Sequence, residues 1–132
     1  DIMAADSVYI IGARACEPLA EFLGYYLRMI KKNIQVIKTG NSNELFEQMM
    51  YIGKGDVAIG ISFPRYSMRT LKAMEFANNR QARVIAITDS IHSPMNMYSS
   101  CNLFARSDKR LHLALLKYLC THCRASECEC CL

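Results

Sequence analysis

An apolar run meets a short polar segment in AIGISFPRYSMRT, residues 58–70. Ser62 closes the apolar run, and Arg65, Tyr66 and Ser67 follow before a helix-like pattern begins. Hydroxyl groups, a guanidinium and the free N–H groups at the start of a helix are together the donors that hold a phosphate. The stretch therefore predicts an anion-binding loop between a buried strand and a helix.

Two further segments, GARACE (12–17) and TDSIHSP (88–94), also follow apolar runs and lead into helix-like patterns. The hydroxyl and guanidinium groups of the three segments belong to Arg14, Ser62, Arg65, Ser67, Thr88, Ser90 and Ser93. Each residue has a structural interpretation as well: Arg14 as a solvated charge, and Ser67 and Ser90 as helix caps. Their joint placement in three loops is what favours an anionic ligand.

These loops need a framework that brings them to one edge, and the rest of the chain predicts it. Short β-branched runs alternate with segments of helical period. The predicted strands are 7–12, 34–40, 56–62, 83–89 and 102–106, and the predicted helices are 15–31, 41–53, 67–80, a short one after Pro94, and 108–122. We predict an α/β fold, a three-layer αβα sandwich with a five-stranded parallel sheet of flavodoxin type. Ligands of such sheets bind at the carboxyl ends of the strands.

Length and composition agree with one domain and a modest positive charge. The chain has 132 residues, a 52% hydrophobic composition and a net charge of +4. That charge suits a small anion and is too weak to argue for direct nucleic-acid binding. No apolar stretch approaches the roughly 20 residues of a membrane span, and no cleavable signal opens the chain. We expect a cytoplasmic piece of a longer protein, since the sequence does not begin with methionine.

Five of the seven cysteines crowd into the tail, residues 120–132, and Cys16 and Cys101 stand apart. In a cytoplasmic α/β domain we expect them to be thiols. The tail spacing could bind zinc, but a structural zinc site usually brings two ligand pairs across a longer spacer. The alternative is a loose terminus with fortuitous cysteines, and we predict no metal ligand and no cofactor.

Two long stretches carry a resemblance to a known family. VYIIGARACEPLAEFLGYYLRMIKKNIQVI (8–37) and GDVAIGISFPRYSMRTLKAMEFANNRQARVIAITDSIHSP (55–94) resemble the sugar isomerase (SIS) domain, most closely that of RpiR/MurR-type bacterial transcriptional regulators. The resemblance implies a sugar-phosphate-binding domain over residues 1–119, followed by the tail 120–132. It further implies a homodimer that regulates transcription, with DNA contacted only through a helix-turn-helix domain absent from this sequence.

The resemblance also implies a ligand-binding set. Cys16 stands where the family's first loop usually ends in serine, and a thiol is a weaker donor. In the second loop Ser62 and Ser67 match the family's first serine and its threonine, while Pro64 and Arg65 replace the middle serine and the glycine. The implied ligand-binding residues are Arg14, Ala15, Cys16, Ser62, Arg65, Tyr66, Ser67 and Ser93.

Two other functions stay open. A sugar-phosphate isomerase needs a carboxylate base and often a histidine, and Glu17 and His92 lie near the predicted crevice in sequence, although a first-turn helix acid and a loop histidine are their structural interpretations. We therefore predict no catalytic residue. The other alternative is a dimerisation module with a vestigial pocket. The helix predicted over 15–31 is apolar enough to meet a partner subunit, unless it packs wholly within the monomer.

Overall fold

A five-stranded, all-parallel sheet forms the centre of the domain. The computed structural model describes residues 2–105, so the predicted helix 108–122 and the cysteine-rich tail lie outside the described residues. The strands are β1 (Val8–Gly12), β2 (Ile34–Ile37), β3 (Val57–Ile61), β4 (Arg83–Thr88) and β5 (Cys101–Phe104), in the spatial order β2-β1-β3-β4-β5. The helices are α1 (Glu17–Ile30), α2 (Ser42–Gln48) and α3 (Met68–Asn79), with 3₁₀ turns at Arg14–Cys16 and Pro94–Met97. The predicted α/β architecture is confirmed.

The sheet separates two apolar cores. β1 and β3 are buried along their whole length, as expected for strands covered on both faces. One core lies under α1 and includes Val8, Ile10 and Ile59. The other lies under α2 and α3 and includes Ile11, Leu45 and Met74. Alternate residues of one strand therefore serve opposite layers, which holds the strand ends in a fixed relation.

Several element boundaries differ from those predicted. The segment 15–31 is divided, because a 3₁₀ turn precedes α1 and places Pro18 in the first turn of the α-helix. α2 ends well before the predicted end at residue 53, and its N-cap is Asn41. The Asn41 side chain accepts a hydrogen bond from the Asn43 N–H at 3.2 Å, so the asparagine satisfies a donor of the first turn.

The packing of α1 departs from a simple amphipathic pattern. Only Ala20 and Gly24 of this helix are fully buried, and a Cβ at Gly24 would lie 2.4 Å from Val36 Cγ2. Small residues thus bring the helix axis close to the sheet and leave its large side chains outside. Among the apolar residues that recur at helical spacing along the predicted helix 15–31, Leu23 and Leu27 are half-buried. The exposed ones are Leu19, Phe22, Tyr26 and Ile30.

No helix within residues 2–105 is long and apolar enough to cross a membrane.

Candidate functional site

The sheet order places a switch point between the loops that follow β1 and β3. β1 pairs with β2 on one side and with β3 on the other, so the chain leaves β1 and β3 toward opposite faces of the sheet. A parallel sheet opens a ligand crevice at such a switch point. The two loops meet there, since Cys16 and Phe63 pack against the same apolar core under α1.

The loop after β1 is held in place mainly by its backbone. A Cβ at Gly12 would lie 2.6 Å from the Cys16 carbonyl oxygen, so this close approach requires glycine. The Gly12 carbonyl accepts a hydrogen bond from the buried Thr39 hydroxyl at 3.4 Å. Arg14 has a φ of 56°, a left-handed conformation that is uncommon for a residue with a side chain. Arg14 and Ala15 are both exposed.

The loop after β3 contains two buried hydroxyl groups. The Ser62 N–H donates to the Ile87 carbonyl at 3.1 Å, which anchors this loop to β4. The Ser62 Oγ accepts a hydrogen bond from the Ser67 N–H at 3.4 Å. Ser67 occupies the N-cap position of α3, yet its side chain makes no capping hydrogen bond. Its hydroxyl is therefore not committed to the helix that it precedes.

Arg65 lies between these two serines with a φ of 73°. A non-glycine residue in this region is held there by its surroundings at some conformational cost. The Arg65 side chain is exposed and, like that of Arg14, has no hydrogen bond or ion pair with another residue of the range 2–105. Two guanidinium groups on strained loops thus flank the crevice with no partner among the described residues.

The loop after β4 joins the site through Tyr66. The Tyr66 hydroxyl donates to the Asp89 Oδ1 at 2.6 Å, and the Thr88 hydroxyl donates to the same oxygen at 3.2 Å. Ser93 is buried, and its Oγ accepts from the Met95 N–H at 3.3 Å as the N-cap of a 3₁₀ turn. Ser90, interpreted from the sequence as a cap, is not one.

The structure thus brings the predicted residues together unequally. A hydrogen bond links Ser62 and Ser67, and a separate one joins Tyr66 to the β4 loop. Ser93 is committed to a cap. Sequence reasoning did not select Asp89, although it lies within the TDSIHSP segment. It also missed Arg69, whose Nη1 donates to the Thr39 carbonyl at 2.6 Å and holds the end of β2 against α3. Asp89 is distant in sequence from Tyr66, and Arg69 is distant from Thr39. No local pattern could therefore have revealed either contact.

The Cys16 thiol is poorly suited to ionise. Burial raises the pKa of Cys16, and the hydrogen bond from the Phe63 N–H only partly opposes that effect. Cys16 therefore remains a neutral thiol near pH 7, which donates weakly and adds no negative charge to an anion site.

The candidate base and its histidine partner have no supporting contacts. Glu17 and His92 are exposed, and neither has a hydrogen bond or ion pair with another residue of the described range. A general base is usually oriented by a second group, and no such group is found for either residue between positions 2 and 105. The same part of the chain contains no cluster of three or more His, Cys, Asp or Glu residues that could hold a metal ion.

A parallel α/β sheet with a switch point between its central strands is an architecture that commonly binds small ligands at the carboxyl ends of the strands. Residues 1–123 match the SIS domain family, and the chain belongs to that family. It is similar to the sugar isomerase domain of an RpiR transcription factor from Sphaerobacter thermophilus, with 30% identity and a TM-score of 0.75 over 81% of this chain and 59% of that one.

Curated relatives include a regulator and an enzyme. The chain is 31% identical over 72 residues to an uncharacterized HTH-type transcriptional regulator of Haemophilus influenzae, matching 54% of this chain and 25% of the relative. It is 28% identical over 116 residues to the isomerizing glutamine–fructose-6-phosphate aminotransferase of Pyrobaculum aerophilum, matching 88% of this chain and 19% of the enzyme. The chain thus spans a quarter or less of either relative's length.

The fold is also that of the Vibrio vulnificus NanR protein, solved in complex with ManNAc-6P. This structure has 21% identity and a TM-score of 0.70, over 80% of this chain and 40% of that one. At this identity the likeness concerns the fold alone.

Proposed function

We propose that this chain is the effector-sensing and dimerisation domain of a cytoplasmic transcriptional regulator and binds a phosphorylated sugar in the crevice between the β1 and β3 loops. The observation that carries the proposal is the β3 loop, where Ser67 precedes α3 with an uncommitted hydroxyl and Arg65 stands beside it with no partner among the described residues. The similarity to regulator domains and the phosphosugar bound to NanR support it.

The phosphate is held by donors of three kinds. The first-turn N–H groups of α3 have no acceptor within their own helix and lie at the positive end of its dipole. The hydroxyls of Ser62 and Ser67 add neutral hydrogen bonds, and Arg65 adds a charge-assisted one. Arg14, Ala15 and Cys16 line the opposite side of the crevice, and Ser93 and Tyr66 complete it through the β4 loop.

Binding becomes regulation only if the ligand prefers one of two conformations. The β1 and β3 loops lead into α1 and α3 on opposite faces of the sheet, so a ligand that bridges the loops couples the two helical layers. In the regulator, that coupling would alter the placement of the helix-turn-helix domains. Those domains, and not this chain, would contact the DNA.

A thermal-shift screen tests the proposal. The panel contains N-acetylmannosamine 6-phosphate, arabinose 5-phosphate and hexose 6-phosphates, each beside its unphosphorylated sugar. A phosphosugar at about a hundred times its dissociation constant adds roughly 2.7 kcal/mol to the unfolding free energy, and its free sugar adds none. A folded protein that no member of the panel stabilises would leave the dimerisation module with a vestigial pocket as the better account.

Sugar-phosphate isomerisation is the second candidate function, favoured by the similarity to the isomerizing aminotransferase. It predicts exchange of a sugar C–H proton with solvent deuterium in the presence of this chain. Because Glu17 and His92 have no orienting partner in the range 2–105, we expect no exchange above the protein-free rate. Exchange that a Glu17→Gln variant abolishes would overturn this expectation and assign the base.

Dimerisation is proposed to use the outer face of α1. Phe22, Met29 and Ile30 are each more than 60% exposed, and the ring of Tyr26 contacts those of Phe22 and Tyr25. A contiguous apolar face of this kind marks an interface, and a second copy of the same face fits it isologously.

Sedimentation velocity of a Phe22→Asp variant tests this surface. We expect the wild type to sediment as a dimer and the variant as a monomer, because the new carboxylates would be buried without partners. Tyr51→Asp is the matched control, since Tyr51 is 86% exposed and lies outside α1. A monomeric wild type, or equal dimers of all three proteins, would contradict the α1 interface.

A further inference from the structure

Asp89 is the first residue after β4 and lies where the β3 and β4 loops meet. One of its oxygens, Oδ1, accepts two hydrogen bonds, from the Tyr66 hydroxyl at 2.6 Å and from the Thr88 hydroxyl at 3.2 Å. Thr88 is fully buried and Tyr66 packs against the apolar core under α3. The orientation of the carboxylate is therefore determined by two rigid neighbours.

The other oxygen of Asp89 has no partner among the described residues. Within residues 2–105, no donor contacts Oδ2 and no cation pairs with the carboxylate. Oδ2 is also not among the buried polar atoms that lack a hydrogen bond, so it is open to the crevice or to solvent. A fully buried carboxylate is usually paired with a cation. Asp89 is half-buried, and among the described residues its carboxylate contacts only neutral hydroxyls, both on one oxygen.

An ionised carboxylate accepts hydrogen bonds and cannot donate them. It repels a phosphate group, so Asp89 is unsuited to the anionic end of a ligand. It is suited to hydroxyl groups, each of which donates one hydrogen bond to it. Because Tyr66 is adjacent to Ser67 in the chain and contacts Asp89, Asp89 lies close enough for the uncharged part of a ligand whose phosphate is held at Ser67 to reach it.

We propose that Asp89 accepts hydrogen bonds from the sugar hydroxyls of the ligand and determines which sugar binds, and that Tyr66 is the positioning residue for its carboxylate. This inference rests on the proposed sugar-phosphate site and adds the part of that site that recognises the sugar hydroxyls. It assigns the ligand to phosphorylated sugars with free hydroxyls some distance from the phosphate, rather than to ligands with a second anionic group there.

The Asp89→Asn variant tests the assignment. Asparagine keeps the shape and can still accept from Tyr66 and Thr88, but it replaces the free acceptor with an NH₂ donor. Titration calorimetry compares inorganic phosphate with arabinose 5-phosphate and N-acetylmannosamine 6-phosphate, before and after the substitution. We expect at least about tenfold weaker binding of the phosphosugars, as for a lost hydrogen bond to a charged group. Phosphate itself should bind equally or up to severalfold more tightly, because a repelling charge is gone.

Tyr66→Phe tests the positioning role. It keeps the ring and removes the donor, so we expect severalfold weaker phosphosugar binding with phosphate binding unchanged. Combined with Asp89→Asn it should add nothing further, because both changes act on one contact. Tyr98→Phe is the matched control: Tyr98 packs against the same core, and its hydroxyl has no partner in the described range.

The outcomes separate this inference from the proposal beneath it. A wild-type protein that binds neither phosphate nor any phosphosugar of the thermal-shift panel would overturn the proposed function. The role of Asp89 alone would be overturned if the wild type binds the phosphosugars and the Asp89→Asn variant binds them equally well. The same holds if the substitution changes the affinities for phosphate and phosphosugar by the same factor.

Discussion

The loops that follow β1 and β3 have similar backbones and different contacts. Each ends in a residue that caps no helix with its side chain, Cys16 in one and Ser67 in the other. Each contains an arginine of positive φ, 56° at Arg14 and 73° at Arg65, two residues before that end. The β1 loop and the β3 loop thus form the first and second walls of the crevice, with similar backbone features. They lead into helices on opposite faces of the sheet.

The difference lies in what each loop contacts. The β1 loop is confined by backbone packing at Gly12 and offers a neutral thiol. The β3 loop offers two buried hydroxyls and is tied to the β4 loop by the hydrogen bond from Tyr66 to Asp89. From this comparison we propose that the β1 loop mainly fixes the width of the crevice and that the β3 loop supplies most of the ligand contacts.

The largest expected effect is the loss of phosphosugar affinity when side chains of the β3 loop are removed. In an Arg65→Ala, Ser67→Ala double variant, phosphosugar binding should weaken about a hundredfold or more, because one charge-assisted and one neutral hydrogen bond are lost. Arg14→Ala should weaken it only severalfold. Titration calorimetry measures both, and equal losses from the two walls would contradict the division between them.

The next effect concerns the backbone packing of the first wall. Gly12→Ala should lower the unfolding free energy by about 1–3 kcal/mol, because the new Cβ overlaps the Cys16 carbonyl oxygen and lies 2.9 Å from Ala20 Cβ. Gly40→Ala is the control, since a Cβ there meets nothing within 4 Å. Urea unfolding compares the two, and equal stabilities would show that the β1 loop relaxes freely.

A smaller effect separates a capping serine from a serine kept for the ligand. Ser93→Ala should lower the unfolding free energy by about 1 kcal/mol, because its hydroxyl accepts from the Met95 N–H. Ser67→Ala should change it by less than about 0.5 kcal/mol, since that hydroxyl caps nothing. Urea unfolding decides between them, and a larger loss at Ser67 would mean that its hydroxyl stabilises α3 after all.

The smallest effect concerns the strained arginine of the second wall. Arg65→Gly should raise the unfolding free energy by about 0.5–1 kcal/mol, because glycine adopts a positive φ without strain, while phosphosugar binding weakens. Gln81 has a φ of 62° outside the site, so Gln81→Gly should raise the unfolding free energy by a similar amount and leave phosphosugar binding unchanged. If Arg65→Gly were less stable than wild type, the loop conformation would depend on contacts of the arginine side chain.

The sequence predicted what depends on local pattern, and it missed what depends on contacts between distant segments. The apolar runs that became β1 and β3, and the hydroxyls at their ends, were recognisable because strand periodicity is a short-range property. Which side chains of α1 face outward was not recognisable, since that follows from the approach of Gly24 to Val36 across the fold.

The same limit applied at the candidate site. Tyr66 and Asp89 are 23 residues apart in sequence and meet only because β3 pairs with β4. The local sequence marks Tyr66 as a loop residue and Asp89 as a turn residue, and nothing in either segment indicates a hydrogen bond between them. A tertiary hydrogen bond of this kind becomes visible only once the strand order is known.

Chemical-shift mapping tests the central claim most directly, because it locates the ligand as well as detecting it. Amide ¹H–¹⁵N spectra would be recorded while inorganic phosphate, and then the most stabilising phosphosugar of the panel, is titrated into the protein. The account predicts that phosphate shifts the amides of residues 62–70, and that the phosphosugar also shifts those of 13–16 and 88–93. Shifts confined to other surfaces, or none with any phosphosugar, would contradict a sugar-phosphate site in this crevice.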